Sequence, residues 1–237
     1  MKQSSTTLPR YAIYFTPAPA SPLALFGRQW LGRDNNCLEE TEQFQVPGLP
    51  RERFHALTAS PRRYGFHATL KAPFYLAAGR TESQIQEALV LFAADCHSIL
   101  LSPLQISLIS SFFCLMPSSA SAELMRLARD VVQKFDSFRT PPSTAEVQRR
   151  SAANLSPIQE YYTRMWGYPY VLDEYRFHLT LTDKVRDPQE RELLRAALKR
   201  LLSTDDLRET MVDSLTLLRQ DCPEKPFLLL QRIPLGR

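Results

Sequence analysis

The stretch "YGFHATLKAPF", residues 64–74, alternates apolar and polar side chains from Phe66 to Leu70, and a matching phrase, "YRFHLTLTDKV", returns at residues 175–185. A period of two marks a β-strand with one face toward a core and the other toward solvent or a cleft. In the first copy His67, Thr69 and Lys71 share one face, opposite Phe66, Ala68, Leu70 and Ala72. In the second, Arg176, His178, Thr180 and Thr182 face together, opposite Phe177, Leu179 and Leu181. The two histidines stand 111 positions apart, too far for one supersecondary unit.

The segments downstream of the two phrases also match in order. After the first comes "TESQIQEALVLFAADCHSIL" (81–100), apolar at helical spacing behind a threonine cap, and then the extended run "LQISLISSFFCLMP" (104–117). After the second comes a helix at about 187–202, then the extended runs "VDSLTLL" (212–218) and "PFLLLQRI" (226–233). The order predicts a duplicated α+β architecture of antiparallel sheets with flanking helices, its motif halves at about 64–117 and 175–234. Elsewhere, "YAIYF" (11–15) reads as a strand, and residues 23–60 as a short helix within a long irregular connection. "SAELMRLARDVVQKFDSF" (121–138) reads as an amphipathic helix stopped by the paired prolines of "RTPPS". One or two helices are expected in 144–170, where Ser156 and Pro157 form a start signal and Gly167 a stop.

A chain of 237 residues that is 44% hydrophobic can bury a sizeable core, and residues 10–235 are expected to form a single bilobed domain behind a disordered polar tail at 1–9. The tail lacks the apolar centre of a secretory signal, and no run approaches the roughly 20 apolar residues that span a bilayer. Cys37, Cys96, Cys114 and Cys222 are scattered without a C-x-x-C pair, which predicts reduced thiols in a cytoplasmic protein and no metal site. A formal net charge of +4 suits an anionic small molecule and is compatible with RNA. The adjacent Arg149 and Arg150 form a small basic patch, the composition of a solvated helix end.

If the polar faces of the two phrases meet across a cleft, two imidazoles and several hydroxyls converge on one point. Such a point suits cleavage of a phosphodiester, above all a cyclic one. One histidine, neutral, takes a proton from the nucleophile while the other, charged, gives a proton to the departing oxygen. An unperturbed imidazole titrates near 6.5, so a pair can hold opposite protonation states near neutral pH. Thr69 and Thr180 would donate to the non-bridging phosphate oxygens. Lys71 and Arg176 offer cations on the same faces, or sit solvated at strand ends. Tyr14 and Trp30 offer rings to stack on a base or sugar, or pack in the core. The scheme calls for no cofactor and no metal.

The two phrases resemble the paired His-x-Thr-x motifs of the 2H phosphoesterase superfamily. Over nearly its whole length the chain is similar to the uncharacterised branch of that superfamily associated with bacterial phosphonate-metabolism operons. The likeness runs through "RYAIYFTP", "LFGRQWLGRD", "YGFHATLKAPF", "AEVQRRSAANLSPIQ" and "WGYPYVLDEYRFHLTLT". The resemblance implies a pseudo-two-fold, bilobed fold whose lobes exchange segments around a shared cleft. It implies acid–base roles for His67 and His178 and phosphate contacts for Thr69 and Thr180. Three readings stand at this point: a metal-independent phosphodiesterase opening a small cyclic sugar or nucleotide phosphate, an enzyme of RNA ends (2′,3′-cyclic phosphodiesterase or 2′,5′ ligase-like), and a non-catalytic nucleotide-binding module. The expected partner is a small anionic phosphodiester rather than RNA, and no membrane.

Overall fold

The computed structural model of the chain describes residues 8–142 and 155–236; most of the expected tail, and the Arg149–Arg150 pair, lie outside the described residues. Strand β1 (Arg10–Phe15) leads into helices α1 (Pro22–Leu31), α2 (Arg51–Leu57) and α3 (Ala59–Tyr64). Next come β2 (Ala68–Tyr75), α4 (Glu82–Ala94), β3 (Ile99–Leu100), β4 (Leu104–Ile109), β5 (Phe112–Pro117) and α5 (Ala122–Lys134). Helix α6 (Pro157–Trp166) precedes β6 (Leu179–Thr180), α7 (Pro188–Leu201), α8 (Thr204–Arg208), β7 (Met211–Val212), β8 (Ser214–Gln220) and β9 (Leu228–Pro234). This is an α+β fold of antiparallel sheets with flanking helices. Among the described residues no helix is long and apolar enough to cross a membrane.

Capping chemistry sets the helix boundaries where the sequence placed them. Thr81 and Gln84 form a reciprocal capping box at the start of α4, and Ser156 and Gln159 form another at the start of α6, with Pro157 at its first position. Gly167 closes α6 with φ 74°. Residues 23–60 depart from expectation, since three helices form there instead of one. The Ser21 side chain accepts the Ala24 N–H at 3.2 Å, Pro22 starts α1, and Leu23, Phe26, Trp30 and Leu31 all turn inward. Burial of that face, invisible as steady periodicity, stabilises the helix.

The strands divide into a four-stranded sheet of order β2-β1-β8-β9, a three-stranded sheet β4-β5-β6, and the short pair β3-β7. All ladders are antiparallel. The hairpin after the second histidine phrase, β8-β9, thus extends the sheet holding the first phrase, while the hairpin after the first, β4-β5, pairs with the second. Both phrases end on edge strands, β2 and β6. Buried residues of both sheets, among them Ile13, Leu70, Leu215, Phe113 and Leu179, belong to one contiguous apolar cluster.

The second phrase forms less strand than its alternation suggests. Only Leu179 and Thr180 pair with β5, opposite Leu115 and Cys114. The Leu181 and Thr182 N–H groups both turn to the Phe113 carbonyl, and the Thr182 hydroxyl oxygen accepts the Phe113 N–H at 2.9 Å, which ends the ladder. The alternation survives as burial: Tyr175, Phe177, Leu179 and Leu181 are buried while Arg176, His178 and Thr180 are not. Thr182 is buried, its hydroxyl oxygen taken by the Phe113 N–H, yet it still borders the cleft that His178 lines.

Candidate active site

His67 stands at the entrance to β2, directly after a sharp turn at Gly65. Its Nδ1–H donates to the Gly65 carbonyl at 2.8 Å. His178 repeats the device at the entrance to β6, with its Nδ1–H donating to the Arg176 carbonyl at 2.7 Å. A carbonyl only accepts, so each Nδ1 keeps its proton and each Nε2 is left as the reactive nitrogen. At His67 that nitrogen lies 3.3 Å from the Thr69 hydroxyl, which donates to it.

Gly65 has φ 79° and ψ 178°, a region open essentially to glycine alone, and a Cβ there would lie 1.4 Å from Asn35 Oδ1. Gly65→Ala is therefore expected to cost about 1–3 kcal/mol. A urea midpoint within error of the parent would refute that expectation. One residue on, Phe66 fills the notch left by Gly27 of α1, where a Cβ would lie 2.1 Å from its ring. The two glycines thus seat the backbone that aims His67.

Tyr14 sits opposite Thr69 in the β1–β2 register and lays its ring on the imidazole of His67, with centroids 3.8 Å apart and planes 21° apart. One face of the Tyr14 ring is thus covered by His67, while Tyr14 remains among the residues lining the cleft that holds both histidines. Burial pushes the Tyr14 phenol well above its ordinary pKa, so it remains neutral. Trp30 is a core residue, fully buried and donating to the Leu181 carbonyl at 2.9 Å.

A cleft of about 380 Å³ opens between the edge strands, and His67, Thr69, His178 and Thr180 all line it. Tyr64, Phe112 and Tyr168 add aromatic walls. The second phrase contributes Asp183 and Lys184 as well. Asp183 is engaged, accepting the Ser60 N–H at 3.1 Å and so tying the β6 end to α3.

Lys71 does not reach the cleft. Tyr14 pairs with Thr69 but its neighbour Ile13 pairs with Lys71, so one extra residue, Leu70, bulges from β2. The bulge reverses the alternation. Lys71 turns inward at 3% exposure, donating to the Val132 carbonyl at 3.1 Å and to Asp136 at 3.3 Å, while Ala72 takes the cleft-facing place. Burial holds the Lys71 ammonium down at about 8, against the pull of Asp136. Arg176, exposed, faces a second chamber next to the cleft.

Burial lowers both histidines. His67 falls to about 4, chiefly through desolvation; its bond to Gly65 opposes the shift, and the charges of His178 and Arg33 add to it. His178 is also lowered by burial, opposed by the Arg176 carbonyl. Among the described residues no three His, Cys, Asp or Glu side chains cluster as metal ligands. The arrangement can take a proton at one Nε2, deliver one from the other, and meet an anion with two threonine hydroxyls.

Tyr64, Phe112 and Lys184 line the cleft and were missed in the sequence, as was Arg33, whose charge acts on His67 from outside it. Two of them had accessible signals: Tyr64 opens the first phrase as Tyr175 opens the second, and Lys184 is a cation four residues past Thr180. Phe112 and Arg33 take their places only through tertiary contacts.

The family described as a protein of unknown function (DUF1045) matches residues 69–228. A Janthinobacterium sp. (strain Marseille) protein named ribose 1,5-bisphosphate phosphokinase PhnN is 37% identical over 237 residues, which cover 99% of this chain and 52% of that protein. A Laribacter hongkongensis (strain HLHK9) protein of the same name is 32% identical over 179 residues, covering 74% and 40%. The chain therefore spans about half the length, or less, of the curated relatives it matches. Among solved structures, E. coli LigT complexed with phosphate superposes with a TM-score of 0.46 at 12% identity, covering 98% of this chain and 100% of that one.

Proposed function

The chain belongs to the DUF1045 family, and for this member we propose a phosphodiesterase that opens a small cyclic phosphodiester by proton transfer between His67 and His178, without a metal. The observation that carries it is the meeting of both His-x-Thr phrases in one cleft, each imidazole tethered through Nδ1 so that Nε2 is the reactive nitrogen.

His67 is the base. Its depressed pKa keeps it neutral at pH 7, and its Nε2 lone pair takes a proton from water as the water oxygen bonds to phosphorus. His178 is the acid: its Nε2–H protonates the ring oxygen as the ring P–O bond breaks, leaving a phosphomonoester. Thr180 donates to a non-bridging oxygen as charge builds there, and Thr69 joins it by turning its hydroxyl from His67 Nε2 to the phosphate. Arg176 supplies a cation beside the site. The cleft's volume favours a small substrate over an RNA strand, and the ribose bisphosphate in the curated relatives' names supports a ribose phosphate framework. The resemblance of the phrases to the phosphonate-operon branch of the 2H phosphoesterases agrees with a small-molecule role of that kind.

A panel of nucleoside and ribose cyclic phosphates, assayed with EDTA present, tests the reading. Turnover of at least one with the chelator present is the expected result. Activity abolished by EDTA and restored by a divalent cation would overturn the proton-transfer scheme, and tight binding of an intact cyclic phosphate without product would favour a binding module.

The shifts set the pH profile. kcat/KM rises as pH rises through about 4, where His67 loses its proton. It falls again as pH rises through the pKa of His178, held below its ordinary 6.5 by burial. The optimum is expected on the acid side of neutrality, and a plateau extending above pH 8 would contradict the assignment. In kcat the alkaline limb is expected at higher pH, because bound phosphate stabilises the imidazolium.

A further inference from the structure

Next to the histidine cleft lies a chamber of about 450 Å³ that shares Thr69, Phe112, His178 and Lys184 with it. A molecule held at the histidines by one phosphate therefore extends naturally into this second space. The chamber's acid is occupied: Glu174 accepts the Gln159 amide at 2.7 Å. Its two cations, Arg176 and Lys184, are exposed and form no ion pair with any described residue. At the chamber's side, Tyr175 is 8% exposed and its hydroxyl has no hydrogen-bond partner. A buried hydroxyl left unpaired costs about 1–3 kcal/mol, a burden expected where a ligand completes the bonding.

Resting on the phosphodiesterase reading, we propose that this chamber receives a second phosphate of the substrate, a monoester held between Arg176 and Lys184, with Tyr175 donating to the sugar that joins the two phosphates. The substrate class is then a cyclic phosphodiester on a sugar that already bears a terminal phosphate, and hydrolysis yields a sugar bisphosphate. An unphosphorylated cyclic nucleotide fills the catalytic half alone. A guanidinium and an ammonium on one phosphate make charge-assisted hydrogen bonds, roughly twice as strong as neutral ones, so the discrimination resides in this pair.

The test compares uridine 2′,3′-cyclic phosphate with its 5′-phosphorylated form by calorimetric titration into the His67→Ala protein, which holds either ligand intact. The 5′-phosphorylated ligand is expected to bind roughly tenfold more tightly or better. Arg176→Gln combined with Lys184→Gln is expected to erase that difference, and thermal melts check that the variant is folded. Tyr175→Phe removes the unpaired hydroxyl, so it is expected to raise the free protein's melting temperature and to weaken both ligands severalfold. Equal affinity for the two ligands, no detectable binding of either, or a preference that survives the double substitution would overturn the proposal. Turnover of both ligands by the unsubstituted protein is followed in parallel. Turnover without preference removes the second-phosphate chamber and leaves the hydrolase reading standing, whereas preferential binding without turnover does the reverse.

Discussion

Replacing either His67 or His178 by alanine lowers kcat by roughly 10²–10⁴, with the melting temperature retained. The reason lies in the shared local device. Each ring is anchored by its own short hydrogen bond from Nδ1 to a carbonyl two residues earlier, so the fold holds each ring without using up its Nε2 on the backbone. The two variants also differ in a way that separates their roles. His67→Ala removes the base, and the acid limb of kcat/KM near pH 4 should vanish with it. His178→Ala removes the acid and should flatten the alkaline limb. Substrates with a better leaving group need less help from the acid, so they should recover most of the His178→Ala loss and little of the His67→Ala loss. Full turnover in both folded single variants would end the proposal.

Arg33→Leu is expected to be the most damaging substitution outside the cleft, at about 3–5 kcal/mol. The guanidinium is 2% exposed. It donates to the carbonyls of Arg62 at 2.8 Å, Cys37 at 3.2 Å, Phe227 at 2.8 Å and Arg63 at 3.4 Å. Burial lowers its pKa to about 10, so it stays charged at neutral pH while solvated by backbone dipoles. Leucine would leave those carbonyls without their donor inside the protein. A domain of this kind has only about 5–15 kcal/mol in hand, so a large fall in urea midpoint should result, and a loss below about 1 kcal/mol would refute the argument. The substitution has a second signature. Arg33 is one of the charges that lower His67, so any folded fraction should show its acid limb at higher pH than the parent.

Much of this was written in short-range pattern. The alternation around His67 and His178 survives in the fold, and the capping signals at Thr81, at Ser156 with Pro157 and at Gly167 all mark real helix ends. These features depend on neighbours within one turn or one strand. Lys71 failed because a bulge is a property of two strands in register, and the alternation of β2 alone gives no hint that Leu70 is the extra residue. The stacking of Tyr14 was equally hidden: its ring finds His67 only because β1 lies beside β2. Arg33 is more remote still. Nothing near "LGRDNN" tells that residues from α3, its own loop and the residue just before β9 will surround it. The short ladder of β6 likewise reflects what Thr182 does to Phe113, a contact across 69 positions.

The exchanged hairpins have a consequence for how the molecule can be assembled. Because β8 and β9 belong to the sheet of the first phrase and β6 to that of the second, neither half of the gene encodes a complete sheet. Expressed as separate fragments divided between β5 and α6, the halves should be insoluble or molten alone, yet recover a native spectrum when co-expressed, by complementation. The same wiring gives the intact polypeptide a high contact order: β1 must wait for β8, some two hundred residues downstream, before its sheet can close.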